Sequence, residues 1–315
     1  MFDPLATPAQ LVSNVSILTL VVCGGIFLVV ASLLAYAVIR FRRRPSDDSS
    51  EPAQIYGSNQ IEIAWTVIPI LIVFVLSMAT ARITSAVQDH AIPKDALQVT
   101  VTGHQWWWEF RYTDAAMNFV TANELHVPVS TAEKPAVTLL TLKSADVVHS
   151  FWVPQLAGKT DLIPNRVNTM WMDPKEIGTY PGNCAAYCGT QHAFMLLRVV
   201  VESQEDFARW VEQQKQPAAV PEDPVVKANQ TAFLTSACIA CHTVRGTRSP
   251  GISGPDLTHV ASRETIGSGA TTNTPEHMRA WIANSHQFKP GNLMPPMKMD
   301  AAKLDQISAY LGTLR

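Results

Sequence analysis

Charge is what this 315-residue chain has least of. Only 16% of its residues are Asp, Glu, Lys or Arg, while 47% are hydrophobic. So lean a charge content argues against a purely soluble chain and points to membrane segments. The few charges nearly cancel, leaving a net −2, so no basic excess marks a nucleic-acid binder. No charge at all falls between Asp3 and Arg40. That stretch also lacks the basic start and small-residue cleavage site of a secretory signal, and its apolar part is too long for one. Residues 15–39 would form a helix of roughly 37 Å, enough to cross a hydrocarbon core of about 30 Å with some tilt. A second uncharged run, Ile63 to Ala81, gives roughly 28 Å, with Pro69 expected to kink it.

The basic cluster Arg40-Phe-Arg42-Arg43-Arg44 marks the cytoplasmic end of the first helix. The N-terminus then lies outside, residues 45–58 form an inside loop, and everything from about residue 85 is extracytoplasmic. Residues 1–84 thus read as a two-helix transmembrane hairpin.

Cysteine is scarce too. Of five, four fall in two close pairs and Cys23 stands alone in an apolar run, where a small buried hydrophobe is expected. The first pair lies in Cys184-Ala-Ala-Tyr-Cys188-Gly-Thr-Gln-His192-Ala-Phe-Met195. Two thiols, an imidazole and a thioether are soft or borderline ligands, the set that selects copper over hard cations. Upstream, His149 in Asp146-Val-Val-His149-Ser-Phe-Trp offers a second imidazole. One Cys suffices for a mononuclear blue-copper site; a second points to two thiolates bridging two ions. A Cys184–Cys188 disulfide in an oxidising compartment is the alternative, but it leaves the following Gly-x-x-His-x-x-Met and the His149 segment without a role.

This loop resembles the binuclear CuA loop of cytochrome c oxidase subunit II, Cys-x-Glu-x-Cys-Gly-x-x-His-x-x-Met. The resemblance implies that Cys184 and Cys188 bridge the coppers. His149 and His192 would then be terminal ligands, Met195 a weak axial ligand, and the backbone carbonyl of Ala186 the remaining donor. Position 186 is usually Glu in that family, where its side chain also reaches magnesium at the contact with subunit I. Alanine keeps the carbonyl and leaves the magnesium link open.

Around the loop, Leu97–Thr102, Ala136–Leu142 and Leu196–Val201 read as strands, rich in β-branched residues and separated by Pro and Gly. Short strands with turns imply a sandwich or barrel, and the resemblance makes residues 85–213 an all-β cupredoxin-like Greek-key barrel. Gly103-His104-Gln105-Trp106-Trp107-Trp108 matches the family's aromatic segment, whose first Trp is the exposed electron entry point; Trp106 inherits that role and His104 is expected to be structural. Asp146 matches an acidic residue near the docking face, and Glu62 a carboxylate near a proton-pathway entrance of subunit I. Ser203-Gln-Glu-Asp206 fits a capping box opening an amphipathic helix. Residues 214–224, with three prolines, read as a semi-rigid linker.

The second cysteine pair lies in Cys238-Ile-Ala-Cys241-His242, the attachment motif of c-type haem. Cys238 and Cys241 would form the thioethers, and His242 would reach the iron. Downstream, Lys289-Pro-Gly-Asn-Leu-Met294-Pro-Pro-Met297 resembles the axial-methionine segment of class I cytochromes c, with Met294 the sixth ligand in preference to Met297. In the same resemblance, the carbonyl of Pro255, in Gly254-Pro255-Asp256-Leu257, orients His242. Helices are expected over 228–237, 275–285 and about 300–313 in an all-α cytochrome c domain spanning 225–315.

Charge divides between the outer domains. Residues 85–213 hold nine Lys/Arg against fourteen Asp/Glu, and residues 225–315 hold nine against five, so a basic haem face is expected to dock on an acidic copper face. Across its whole length the chain resembles subunit II of a caa3-type cytochrome c oxidase. The resemblance implies electrons passing from a donor cytochrome c, or an upstream respiratory complex, to haem c, to CuA and on to subunit I. Oxygen reduction and proton translocation occur there, since this chain has no site for oxygen chemistry. It further implies subunit III and membrane lipid as partners, in a bacterial cytoplasmic membrane with both outer domains on the periplasmic side. The alternatives are a CuA-containing nitric oxide reductase subunit and a tethered electron carrier without an oxidase partner. Intact Cys184, Cys188 and His192 argue against a quinol oxidase subunit.

Overall fold

The computed structural model describes residues 2–42, 54 and 56–315. Arg43, Arg44 and most of the expected 45–58 loop lie outside the described residues. The chain divides into two compact units, Gln10–Ala91 and Met1–Ala9 with Ile92–Arg315.

The first unit is helical. Helix α1 spans Thr7–Arg40 and α2 spans Asn59–Gln88, roughly 51 and 45 Å long at 1.5 Å per residue. Both are long and apolar enough to cross a membrane. They overrun the expected 15–39 and 63–81, because a helix satisfies its own backbone and need not stop where the apolar run does. Helix α2 also continues through Pro69. None of its described residues is buried, so its apolar side chains face outward all round. Glu62 sits in its first turn, exposed, with its amide donating to the Ser58 carbonyl.

In the second unit, residues 2–9 pack on a β-barrel. The Leu5 amide donates to Gln155 O and the Lys175 amide to Leu5 O, each at 2.8 Å. Thr7 donates through its amide and hydroxyl to the two oxygens of Asp173, at 2.8 and 2.6 Å.

Ten strands build the barrel: β1 Leu97–His104, β2 Trp107–Tyr112, β3 Phe119–Ala122, β4 Glu124–Pro128, β5 Thr138–Ser144, β6 His149–Trp152, β7 Thr160–Leu162, β8 Asn168–Met172, β9 Gly178–Cys184 and β10 Leu196–Glu202. They form two five-stranded sheets, ordered β3-β2-β1-β5-β8 and β4-β10-β9-β6-β7. Burial alternates along β1 and β10, as a strand with one face on the core requires. Trp108, Phe110, Tyr112, Leu140 and Phe151 fill the space between the sheets. Helix α3, Gln204–Lys215, closes the barrel, and the Ser203 side chain accepts from the Asp206 amide as the capping box predicts.

The C-terminal domain packs α4 Pro224–Leu234, α5 Pro275–Ala283 and α6 Ala301–Leu311 around a separate core of Phe233, Ile307 and Tyr310. The expected linker is shorter than 214–224. Its first two residues belong to α3, and Pro224 is the first residue of α4, with Asp223 accepting from the Val225 and Val226 amides. Helix α4 ends before Thr235 because a capped 3-10 turn, Ala237–Ala240, takes over and carries Cys238.

The two domains are joined by buried contacts, and these differ from the expected charge pairing. Glu124 on β4 is 2% exposed. It accepts from the Glu264 amide at 3.1 Å and from the Thr265 amide and hydroxyl at 2.9 and 3.2 Å. Ser268 donates its hydroxyl to Leu196 O at 2.7 Å and accepts the Leu196 amide on its own carbonyl at 3.2 Å. Among the described residues a single ion pair crosses, Arg198 to Glu264 at 3.6 Å. Its base is on the copper side, opposite to the polarity that net charge implies. The contact itself uses charges bonded to backbone, Glu124 to amides and Lys289 to carbonyls.

Glu124→Ala strands three donors of the C-terminal domain at once. It is expected to lower stability by about 2 kcal/mol, read as a shifted denaturant midpoint of the full chain. Glu124→Gln, which keeps an acceptor, should lose less than half as much; equal losses would mean the carboxylate is not satisfying those amides.

Candidate metal and haem centres

The barrel gathers every predicted copper ligand at one end. His149 opens β6 and Cys184 closes β9, while Met195 directly precedes β10. The Cys184 amide donates to Met195 O at 3.0 Å and the Ala185 amide to Ser150 O at 2.9 Å. The hairpin end and the neighbouring strand therefore fix the loop from both sides. His192 begins a 3-10 turn that folds its ring back toward Cys188.

The donor atoms face one another. Cys184 Sγ lies 3.7 Å from Cys188 Sγ, 4.0 Å from His149 Nδ1 and 3.1 Å from the Ala186 carbonyl oxygen. Cys188 Sγ lies 3.7 Å from His192 Nδ1 and 3.8 Å from Met195 Sδ. A disulfide needs about 2.05 Å between sulfurs, and both thiols are free. Two sulfurs about 2.3 Å from one ion at a tetrahedral angle stand about 3.8 Å apart, so the observed separation fits shared ligation. Each sulfur has its own imidazole, an arrangement with a donor set at either end and thiolates between. His149, Cys184, Cys188 and Met195 are all buried, and His192 is half-buried.

Asp146 is not a free surface carboxylate. His149 Nε2 donates to it at 2.7 Å; since a carboxylate only accepts, that nitrogen carries the proton, and in the neutral imidazole Nδ1 keeps the lone pair that faces the sulfurs. Burial acts to lower the His149 pKa, but the hydrogen bonds to Asp146 and Cys184 outweigh it and raise the value. Burial conversely acts to raise that of Asp146, and the bonds from His149, Val147 and Gln105 hold it below the usual carboxylate range. Between the thiols, the hydrogen bond from Cys188 pulls Cys184 down, and the same contact pushes Cys188 up. Glycine at 103 is a steric requirement, because a Cβ there would lie 2.8 Å from the His149 ring.

Trp106 is 9% exposed, not the open entry point expected. Its indole Nε1 donates to Cys188 O at 3.0 Å, and Gln105 Nε2 donates to the same carbonyl at 2.7 Å. Gly189, at φ +116, gives the ring its seat, since a Cβ would approach it to 3.0 Å. The C-terminal domain covers the other side. His104 stacks on Trp107 at 4.2 Å and lies outside the donor cluster, as a structural residue would.

Trp106 and Trp107 also line a cavity of about 500 Å³ with Cys238, Cys241, His242, Met294 and Met297, a volume in the range of ligand pockets. His242 Nδ1 is 2.8 Å from Pro255 O. A carbonyl only accepts, so Nδ1 carries the proton and Nε2 is left free for a metal. Burial holds the His242 pKa below its usual value, keeping the ring neutral. A Cβ at Gly254 would sit 2.7 Å from this imidazole. Both methionines reach the cavity, but the Met294 backbone is the one pinned by side chains, accepting from Ser285 Oγ at 3.1 Å and donating to Asn292 Oδ1 at 2.9 Å. Arg263 also lines the cavity; its Nη2 donates to Asp256 O at 2.5 Å, while its buried Nε has no hydrogen-bond partner among the described residues. That spare donor beside such a pocket fits a carboxylate of a haem. Sequence reasoning missed Arg263 and Gln105, whose roles rest on tertiary contacts alone; the Asp146-x-x-His149 spacing was the available signal for the carboxylate–imidazole pair.

Known proteins match these features in order along the chain. The family model for the transmembrane domain of cytochrome c oxidase subunit II matches residues 2–83, that for its periplasmic domain residues 118–204, and that for cytochrome c residues 226–315. The chain is 33% identical to cytochrome c oxidase subunit 2 of Alkalihalophilus pseudofirmus, over 99% of this chain and 90% of that protein. It is 33% identical to the same subunit of Bacillus sp. strain PS3, over 87% and 80%. Among solved structures, the periplasmic domain of subunit II of cytochrome oxidase of Bradyrhizobium japonicum is 33% identical, covering 40% of this chain and 97% of that one, with a TM-score of 0.36.

Removing the carboxylate that holds His149 should loosen the donor set without deleting a donor. Asp146→Asn is expected to weaken copper binding about 10- to 100-fold, measured by competition with a chelator. Unchanged affinity would reduce Asp146 to a surface charge.

Proposed function

The chain belongs to the cytochrome c oxidase subunit II family, with a copper domain and a cytochrome c domain, and from that premise we propose that it is a two-centre electron relay feeding subunit I. The observation that carries this reading is Trp106. One indole touches the Cys188 carbonyl of the copper loop and lines the cavity that holds the haem motif.

We assign the binuclear copper to Cys184, Cys188, His149, His192, Met195 and the Ala186 carbonyl, and the haem to Cys238 and Cys241 as thioethers with His242 and Met294 as axial ligands. When bound, the two groups supply one-electron redox chemistry, haem c as entry and binuclear copper as exit. The protein's part is to hold donors still. Asp146 orients His149, Pro255 orients His242, and two barrel strands pin the copper loop, so little rearrangement accompanies a change of oxidation state. Arg263 stands ready for a haem carboxylate. Ala186 brings no carboxylate, and we assign no magnesium ligand to this chain.

As a subunit II, the chain partners the haem-copper subunit of the oxidase and sits in the membrane. The finer reading adds subunit III, lipid, and a donor cytochrome c or upstream complex delivering to the haem domain. It places both outer domains on the periplasmic side of a bacterial cytoplasmic membrane. One observation supports that side: Arg40 and Arg42 fall at the C-terminal end of α1, the end the positive-inside rule assigns to the cytoplasm. Glu62 opens α2, the end that follows the inside loop, in keeping with a role at a proton-pathway entrance.

The relay is tested on the full chain in detergent, matured with haem and copper. Two coppers sharing one unpaired electron and one low-spin haem retained after denaturation are expected from metal analysis and paramagnetic resonance. One copper per chain, or none, would overturn the assignment. Met294→Ala should lower the haem potential, since Met/His ligation raises it, while Met297→Ala should leave it in place; the reverse pattern would exchange the two assignments.

A further inference from the structure

Lys289 is the one lysine among the described residues that is buried, at 2% exposed, and it lies where the copper and haem domains meet. Its Nζ donates to Trp106 O across the boundary at 2.7 Å and to Gly267 O in its own domain at 3.1 Å. The next residue, Pro290, accepts from the Gln191 side chain of the copper loop. Five residues after Lys289 comes Met294, whose backbone is fixed by Ser285 and Asn292. The segment that carries the methionine is therefore tied at its base to both flanks of the copper site. The tie to Trp106 is made by the same residue whose indole touches Cys188 O.

An ammonium is a costly group to bury. Desolvation pulls the Lys289 pKa down to about 7, against the opposing pull of the Cys188 sulfur. An apolar side chain of similar length would fill the space without that cost, but it could not reach across to a backbone carbonyl. What the charge adds is direction: two charge-assisted bonds, one into each domain.

We propose that Lys289 is the positioning residue for transfer between the two centres, clamping the Met294 segment to the Trp106 carbonyl and so holding the haem cavity against the indole on the copper loop. This rests on the relay reading above. Lys289 borders the haem cavity but is a ligand of neither centre; it acts through Trp106.

The test uses the full chain with both cofactors, following copper reduction after rapid reduction of the haem, and amide hydrogen exchange of the cofactor-free protein. Lys289→Met is expected to slow transfer about tenfold or more, because small misplacements far from the reacting groups carry large rate effects. The copper and haem spectra should stay those of the parent. Without cofactors, the same variant should speed amide exchange in residues 105–108 and 188–191 about tenfold, as docking loosens. Lys289→Gln, which can still donate to Trp106 O, should restore the rate to within about threefold. If the Met variant fails to mature, Lys289→Ala, which leaves room for water at the carbonyls, is read in the same way. A parental rate and parental exchange in the Met or Ala variant would overturn the role of Lys289, as would equal slowing by Met and Gln. No transfer in the parent protein would instead overturn the relay itself.

Discussion

The carbonyl of Cys188 is the point on which the rest of the site depends. It accepts from Gln105 Nε2 and Trp106 Nε1 together, so the turn between β1 and β2 is bonded to the copper loop rather than merely packed against it. Two donors thus converge on that one oxygen, beside the Cys188 sulfur. Gly189 makes the contact possible by leaving out a side chain where the indole lies. Behind this, the Cys184 amide and Met195 carbonyl close the β9–β10 hairpin. The six candidate donors, His149 and five on the 184–195 loop, are thus held by backbone geometry. A preformed site of this kind changes shape little on binding or on changing oxidation state.

The two domains solve the same problem with acceptors of different strength. In each, one imidazole nitrogen is committed to an acceptor so that the other keeps its lone pair. His149 uses a carboxylate, and its pKa rises; His242 uses a carbonyl, and burial keeps its pKa low. The anionic partner suits a site whose thiolates sit among copper ions, where a more basic imidazole is a stronger donor. The neutral partner suits a largely apolar cavity, where another buried charge would be expensive. Arg263 is the exception there, bonded to Asp256 O and facing the charges of Asp256 and Glu124.

Much of this was legible because ligands are residue types at fixed short spacing. Cys184, Cys188, His192 and Met195 span twelve residues, Cys238 to His242 span five, and both groups announce their chemistry locally. The apolar runs of the hairpin and the alternation in β1 and β10 are local too. What stayed hidden depends on long-range register. Trp106 reads as exposed from its motif, yet it is buried by Lys289, 183 residues away. Glu124 looks like any strand carboxylate until residues 264–265 are laid across it. Net charge misled for the same reason: it counts whole surfaces, whereas the junction is made by a few charges that bond to neutral backbone.

That kind of junction has a consequence for how the halves communicate. Opposite charges steering two surfaces together weaken as salt rises, because exposed charges are screened within about 10 Å at 0.1 M. Glu124 and Lys289 are buried and bonded to amides and carbonyls, where screening has little hold. The docked arrangement is therefore a feature of packing and hydrogen-bond satisfaction. It also fills the face of Trp106. With that indole covered by the chain's own C-terminal domain, the aromatic segment of the barrel is not an open face of the folded chain.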